Sequence, residues 1–256
     1  MIDPFVATKA AVVAAVFAVL FIAERLRPFT PPTAGGNARL VRNGGLWLLM
    51  TLASPIVVIP LTAFAADHAL WTRTGAWASP AMVVVDFILL DVWAYFVHRA
   101  YHRVPLMARL HRPHHLDERL DTTTAVRFHV GEVALSAALR SLPVVLLAMP
   151  LAHVVLFEMI LLSSAIFHHS NLRLPQTVER AISVFVVTPS LHFVHHHAVS
   201  ADTNSNFAAV LSVWDRVFRT QSATTRSPAM KLGVAGARDR SLARLILAPF
   251  ERAGLS

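Results

Sequence analysis

Residues 91–115 read DVWAYFVHRAYHRVPLMARLHRPHH, an apolar run that passes directly into a histidine-rich one. Five histidines, His98, His102, His111, His114 and His115, fall within eighteen residues. If the apolar helix continues through them, His98 and His102 share one face at i,i+4 and can bind one metal ion or split between two adjacent ones. In His111, His114 and His115 the first histidine faces the third and fourth positions after it. The same H-x-x-H-H spacing returns at His192, His195 and His196. A single histidine such as His68 or His153 is ordinarily a hydrogen-bonded residue of core or surface. Eight crowded imidazoles would repel when protonated and gain little packing when neutral, unless a cation gathers them.

Upstream of the histidines, Asp91, Tyr95, His98 and His102 are spaced four, three and four apart, which puts them on one helical stripe. An ionisable group in a membrane span is costly and commonly functional. Asp91 is therefore expected to stand behind a ligand histidine and fix its tautomer; the plainer alternative is a carboxylate that snorkels or pairs with an arginine. Asp86 lies off the stripe and is given no role.

The 256-residue chain is 55% hydrophobic and only 15% charged, with a mean hydropathy of +0.54. This is an integral-membrane composition. The runs Phe5–Ala23, Leu46–Ala66 and Pro80–Val97 each approach the ~20 residues a helix needs to cross the hydrocarbon core. The first holds Lys9 and is followed by no small-residue cleavage signal, so a retained span is expected. Lysine and arginine outnumber the acidic residues 23 to 15. In a membrane chain this fits positive-inside bias and anionic headgroups, and no nucleic-acid partner is expected. There is no cysteine, which excludes disulfides, thiolate zinc sites and iron–sulfur clusters and leaves nitrogen and oxygen ligands for any metal.

The basic, turn-rich segment Glu24–Gly45 reads as a cytoplasmic loop. The second run, interrupted by Pro55 and Pro60, leads to the connection Asp67–Ser79, whose single basic residue, Arg73, places it outside. The third run then delivers His98 to the cytoplasm. Val130–Phe167 is too long for one span, and a hairpin turning near Met149–Pro150 keeps every histidine cluster on one side. Arg140 in the first arm either pairs with Glu158 in the second or marks a shallow re-entrant hairpin. A short apolar helix is expected at Ala181–Val187. The basic tail, with an amphipathic stretch Leu242–Phe250, is assigned to the membrane surface or to packing. The expected fold is all-α: an integral membrane helical bundle of about three spans plus a helical hairpin, capped by a cytoplasmic histidine-rich region. Residues 1–97 would supply the N-terminal spans, 98–220 the histidine-box region with the membrane hairpin 130–167, and 221–256 the tail.

Six motifs in order, DVWAYFVHRAYH, HRPHH, TTTAVRFHVGE, FHHSNLRLP, TPSLHFVHHHAVSADTNSNF and SVWDRVF, resemble the fatty acid hydroxylase/sterol desaturase superfamily of membrane non-haem di-iron enzymes. The resemblance covers roughly Asp91–Thr220. It implies metal ligands at His98, His102, His111, His114, His115, His192, His195 and His196, and adds His129 and His169. His168 and His197 lie beside ligands but outside the pattern. Val130, Ala208 and Arg219 depart from residues common in relatives, without removing a ligand.

The same resemblance implies two iron ions, with zinc able to stand in for iron in purified protein. O2 would be co-substrate for hydroxylation or desaturation of a C–H bond in a membrane lipid, and Asp91, Glu132 and Asn206 would tune the site. Electrons would come from a separate donor, a ferredoxin, cytochrome or reductase, because the chain has no dinucleotide fingerprint. Two other readings stand beside this one: di-iron ether-lipid cleavage or aldehyde decarbonylation on the same ligands, and a membrane metal-binding or transport protein. A transporter predicts histidines inside several spans lining a path, whereas these sit at span ends. The alanine-, valine- and arginine-rich composition points to a bacterial inner membrane, with the histidine clusters on the cytoplasmic side, and an endoplasmic reticulum location fits the topology as well.

Overall fold

A computed structural model describes residues 4–31 and 36–251. Among them all regular structure is helical, joined by a few isolated β-bridges. Helix α1 (Pro4–Leu26) is followed by α2 (Gly36–Ala53), which runs through a π-helical turn at Ser54–Val58 into α3 (Ile59–Asp67). Pro55 and Pro60 lack the amide hydrogens that an α-helical ladder needs, so the chain widens by one register instead of breaking. The expected second span thus belongs to one 32-residue helical run, Gly36–Asp67. Arg39, Arg42 and Gly44–Gly45, expected in a loop, lie inside α2. Residues 32–35 of that expected loop, and 252–256 of the tail, lie outside the described residues.

Ala7–Leu26, Gly36–Asp67 and Leu151–His169 are long and apolar enough to cross a membrane. Helix α4 (Met82–Tyr101) is not among the three, although it covers the expected third span, because it carries Asp86, Asp91 and Arg99. After α5 (Pro105–His115), helices α6 (Val130–Leu146) and α7 (Leu151–His169) form the hairpin. Its turn uses Ala148 in the left-handed region at φ 49°, and Pro150 caps α7. The expected apolar helix at Ala181–Val187 is absent. Instead α8 (Gln176–Ser183) takes in only its first three residues and ends at Ser183, and the Val187 amide turns to the Val210 carbonyl at 2.9 Å. Short helices α9 (Pro189–His195), α10 (Ser200–Thr203), α11 (Val213–Val217) and α12 (Leu242–Leu247) complete the fold. The tail packs inward: Leu245 is buried with Leu46 and Leu116.

Low dielectric makes an unpaired charge costly, and among the described residues every buried carboxylate takes part in at least one hydrogen bond. Both oxygens of Asp86 accept from Arg73 at 2.8 Å, and one also meets His153 Nδ1 at 2.7 Å. Asp86 and His153 therefore tie α4, α7 and the α3–α4 connection together around an apolar core that includes Leu90, Met149 and Phe157. Farther along the hairpin, Glu158 binds both Arg140 and Lys9, so α1 is clamped to both arms. At the opposite end Arg39 forks onto Asp117, with both contacts at 2.7 Å. Asp86→Ala leaves Arg73 buried without its carboxylate and is expected to cost about 3–5 kcal/mol. Thermal unfolding in detergent checks this, and an unchanged transition would refute the clamp.

Candidate metal centre

Each H-x-x-H-H box sits on a short helix, and helical geometry divides it. On α5, His111 and His115 are i,i+4 and share one side while His114 leans to the other. On α9 and its C-cap, His192 and His196 form the i,i+4 pair and His195 stands apart. The outcome is two groups of mutually close ligand nitrogens, each group lying within 4.8 Å: His98, His102, His111, His115 and His195, then His114, His169, His192 and His196. Each box gives its pair to one group and its third histidine to the other. Two sites are thereby interlocked by the same two helices.

The rings are held from behind. Nδ1 of His98 donates to the Phe207 carbonyl at 2.8 Å, that of His195 to Ser205 at 2.7 Å, and that of His169 to Ala165 at 2.7 Å. His114 donates to the Arg127 carbonyl at 3.2 Å, and His111 to the Glu132 carboxylate at 2.6 Å. A proton fixed on Nδ1 leaves the Nε2 lone pair facing inward, the tautomer a metal ligand needs. Inside, Nε2 atoms crowd together: 3.1 Å for His111–His115, 3.1 Å for His114–His169, 3.0 Å for His169–His192 and 3.2 Å for His192–His196. Nε2 of His102 and of His195 is buried with no hydrogen-bond partner. Lone pairs converging in this way fit a cation and nothing else the chain supplies. Burial pushes the His111 imidazolium down to about 3. Burial first, then neighbouring imidazoles, pushes His114, His115, His192 and His196 well below the usual histidine range. All are neutral near pH 7, as ligation requires.

Three sequence expectations are corrected. Asp91 touches no histidine: its oxygens accept from the Val210 amide at 3.2 Å, the Leu211 amide at 3.0 Å and Trp214 Nε1 at 2.7 Å. The carboxylate caps a turn, and all three of its hydrogen bonds go to the segment 210–214 and none to a ring. Asn206 likewise bonds the Leu191 carbonyl and the Ser222 amide, both at 2.9 Å. Its backbone, at φ 51°, bends the strap whose carbonyls at Ser205 and Phe207 anchor two rings. His129 joins neither group; Nδ1 accepts from the Gly131 amide at the start of α6 and Nε2 meets the Ile246 carbonyl, each at 3.0 Å. Glu132 is the one of the proposed tuning residues that reaches a histidine.

Sequence reasoning assigned nothing to Asp215, which accepts from the Phe207 amide at 2.8 Å, the Ala208 amide at 3.0 Å and the Thr220 hydroxyl at 2.7 Å. It holds the strap in place. Its signal was the SVWDRVF motif, quoted without a role for its acid. His168 is buried with its ring 4.1 Å from that of His192, yet it is in neither nitrogen group.

A cleft of about 200 Å³ opens over the histidines between α4, α6 and α7. His98, His114 and His169 are on its floor, and Trp93, Phe157 and Leu161 are among its mostly apolar walls.

Among the described residues, three helices long and apolar enough to cross a membrane, with two groups of histidines that could hold metal ions, define an all-helical protein of membrane type with a candidate metal centre. The chain belongs to the fatty acid hydroxylase family, whose model matches residues 83–220. Across 247 residues it is 23% identical to the ornithine lipid hydroxylase OlsE of Rhizobium tropici, covering 93% of this chain and 74% of that one. It is 31% identical to the human alkylglycerol monooxygenase over 144 residues, 56% of this chain but 31% of the relative. The zebrafish (Danio rerio) alkylglycerol monooxygenase matches over the same length at 29% identity. The chain thus spans about a third of the length of these monooxygenases. No solved structure matches.

Removing the Glu132 carboxylate frees the His111 ring, so Glu132→Ala is expected to lower metal affinity by about 10- to 100-fold. Metal titration in competition with a chelator measures it, and unchanged affinity would refute the orienting role. Metal-free protein has a distinct pH dependence. Folded His111 stays neutral while the unfolded chain protonates near 6.5, so stability is full above that pH and falls as pH drops. The expected loss is about 1.4 kcal/mol per pH unit for each such histidine. Thermal unfolding of chelator-treated protein from pH 7 to 5 tests it; a flat profile contradicts the burial of neutral rings.

Proposed function

We propose that this protein is an O2-dependent oxygenase that oxidises a C–H bond of a membrane lipid, by hydroxylation or desaturation, at a pair of iron ions. The observation that carries the reading is the nitrogen cage: nine histidines in two adjoining groups, seven of them buried and His98 and His102 half-buried, several locked from behind, beneath a mostly apolar cleft. The names of the relatives, an ornithine lipid hydroxylase and alkylglycerol monooxygenases, support lipid oxidation and favour hydroxylation. The alkylglycerol match also keeps open hydroxylation next to an ether oxygen, which would lead to ether cleavage.

In this reading His98, His102, His111, His115 and His195 hold one iron, and His114, His169, His192 and His196 hold the other. When bound, the irons supply the O2-dependent redox chemistry that no side chain can perform. The protein's own part is positioning. Glu132 and the carbonyls of Ser205, Phe207, Arg127 and Ala165 fix the ligand rings, and the cleft walls exclude water and orient an alkyl chain toward them. Residues 98–220 carry this chemistry, with 1–97 as membrane anchor and 221–256 as a packed tail. Positive-inside bias puts the histidine end of the bundle in the cytoplasm of a bacterial inner membrane, where a separate ferredoxin, cytochrome or reductase supplies electrons.

Protein expressed with iron and purified in detergent is expected to hold about two metal ions per chain, zinc included, for nine ligand nitrogens. His102→Ala, His114→Ala and His195→Ala should each lose metal and abolish formation of an oxygenated lipid, while His68→Ala should change neither. Equal metal content in all four variants would overturn the ligand assignment. Full metal without any oxidised lipid in the expressing cells would overturn the oxygenase.

A further inference from the structure

Away from its histidine floor and Tyr101, the polar lining of the cleft falls along one line. Glu132, Ser136 and Arg140 line it at four-residue intervals on one face of α6, a stripe that extends about 12 Å from the first to the last. Glu132 is committed to His111, and Ser136 shares a hydrogen bond of 2.9 Å with the Tyr101 hydroxyl. Arg140 is only partly engaged. Its Nη2 binds one oxygen of Glu158, Lys9 takes the other, and its Nε is buried without a hydrogen-bond partner.

Two cations against one carboxylate leave one formal positive charge among membrane-type helices. Among the described residues no second carboxylate pairs with Lys9 or Arg140. The Arg73–Asp86 clamp at the far end of α4, by contrast, sets one arginine against one carboxylate. An excess cation at the edge of a water-poor cleft is stabilised by an anion that arrives with the ligand.

We propose that Arg140 is a positioning residue for the lipid. It binds an anionic oxygen group, a carboxylate or a phosphate, at the end of the cleft away from the histidines, and the attached alkyl chain runs along α6 to the histidine floor. The inference rests on the lipid-oxygenase reading for its meaning, and it makes the position of oxidation a distance from the anionic group. That distance is about 12 Å along the helix.

The test is equilibrium binding, without turnover, of radiolabelled palmitate, hexadecyl phosphate and hexadecanol to the full chain in uncharged detergent. Wild-type protein is expected to bind at least one of the anions about tenfold more tightly than the alcohol, the effect of one charge-assisted hydrogen bond. Preference for palmitate identifies a carboxylate, preference for hexadecyl phosphate a phosphate, and equal binding of both a generic anion site. Arg140→Gln should remove the preference without weakening hexadecanol, and Arg140→Lys should keep it. Lys9→Gln, which leaves Arg140 paired with Glu158 but removes the excess charge, should reduce it, and this variant decides the matter if Arg140→Gln does not fold. Equal affinity for all three compounds in wild type, or an undiminished preference in the folded variants, overturns the proposal. Lipid oxidation that persists unchanged in Arg140→Gln would remove the anchor and leave the oxygenase. Arg140-dependent palmitate binding in a protein that oxidises nothing would do the reverse.

Discussion

The structure depends on holding imidazole lone pairs against one another. Nitrogens 3.0–3.2 Å apart inside a protein are unfavourable unless a cation lies between them, so something must prevent the rings from turning away. Here the restraint is mainly backbone. Carbonyls of Ser205, Phe207, Arg127 and Ala165 each take an Nδ1 proton, and a main-chain acceptor moves only if its whole segment moves. The rest of the chain can be understood as what keeps those segments still.

Buried acids perform most of that work. Asp91 gathers Val210, Leu211 and Trp214 onto α4, and Asp215 gathers Phe207, Ala208 and Thr220. Between them they hold both sides of the strap that anchors His98 and His195. Glu24 at the end of α1 accepts from the Thr122 and Asn171 amides at 3.0 and 2.8 Å, which ties the first helix to the segments flanking the cage. Carboxylates saturated with amide donors are well suited to this role, because each such bond is charge-assisted and stronger than a neutral one. The same saturation makes them poor candidates for chemistry.

The histidines gather at one end of the bundle, at the ends of α4 and α7 and on α5 and α9, and a mostly apolar cleft leads to them. A metal carrier would spread ligands along several spans. A concentrated, rigid cage beside a space for an alkyl chain suits an oxygenase, where ligands must stay fixed while a substrate is positioned.

The sequence by itself determined the class of fold and most of the cage. Apolar runs long enough to span a bilayer impose helices, because unpaired backbone groups are not tolerated in lipid. H-x-x-H-H on a helix imposes a shared face on its i,i+4 pair. The hairpin at Met149–Pro150 followed from the need to return to the same side, while the cost of isolated charge left Arg140 either paired with Glu158 or marking a shallow re-entrant hairpin, and the structure pairs them. Tertiary structure alone decided how the histidines divide into two groups and that His129 caps α6 instead of joining them. It also decided that Asp91 and Asn206 support backbone, not rings. These depend on which distant carbonyl or amide comes within 3 Å of a side chain. Spacing along one helix constrains neighbours on that helix and carries no information about a strap more than a hundred residues away.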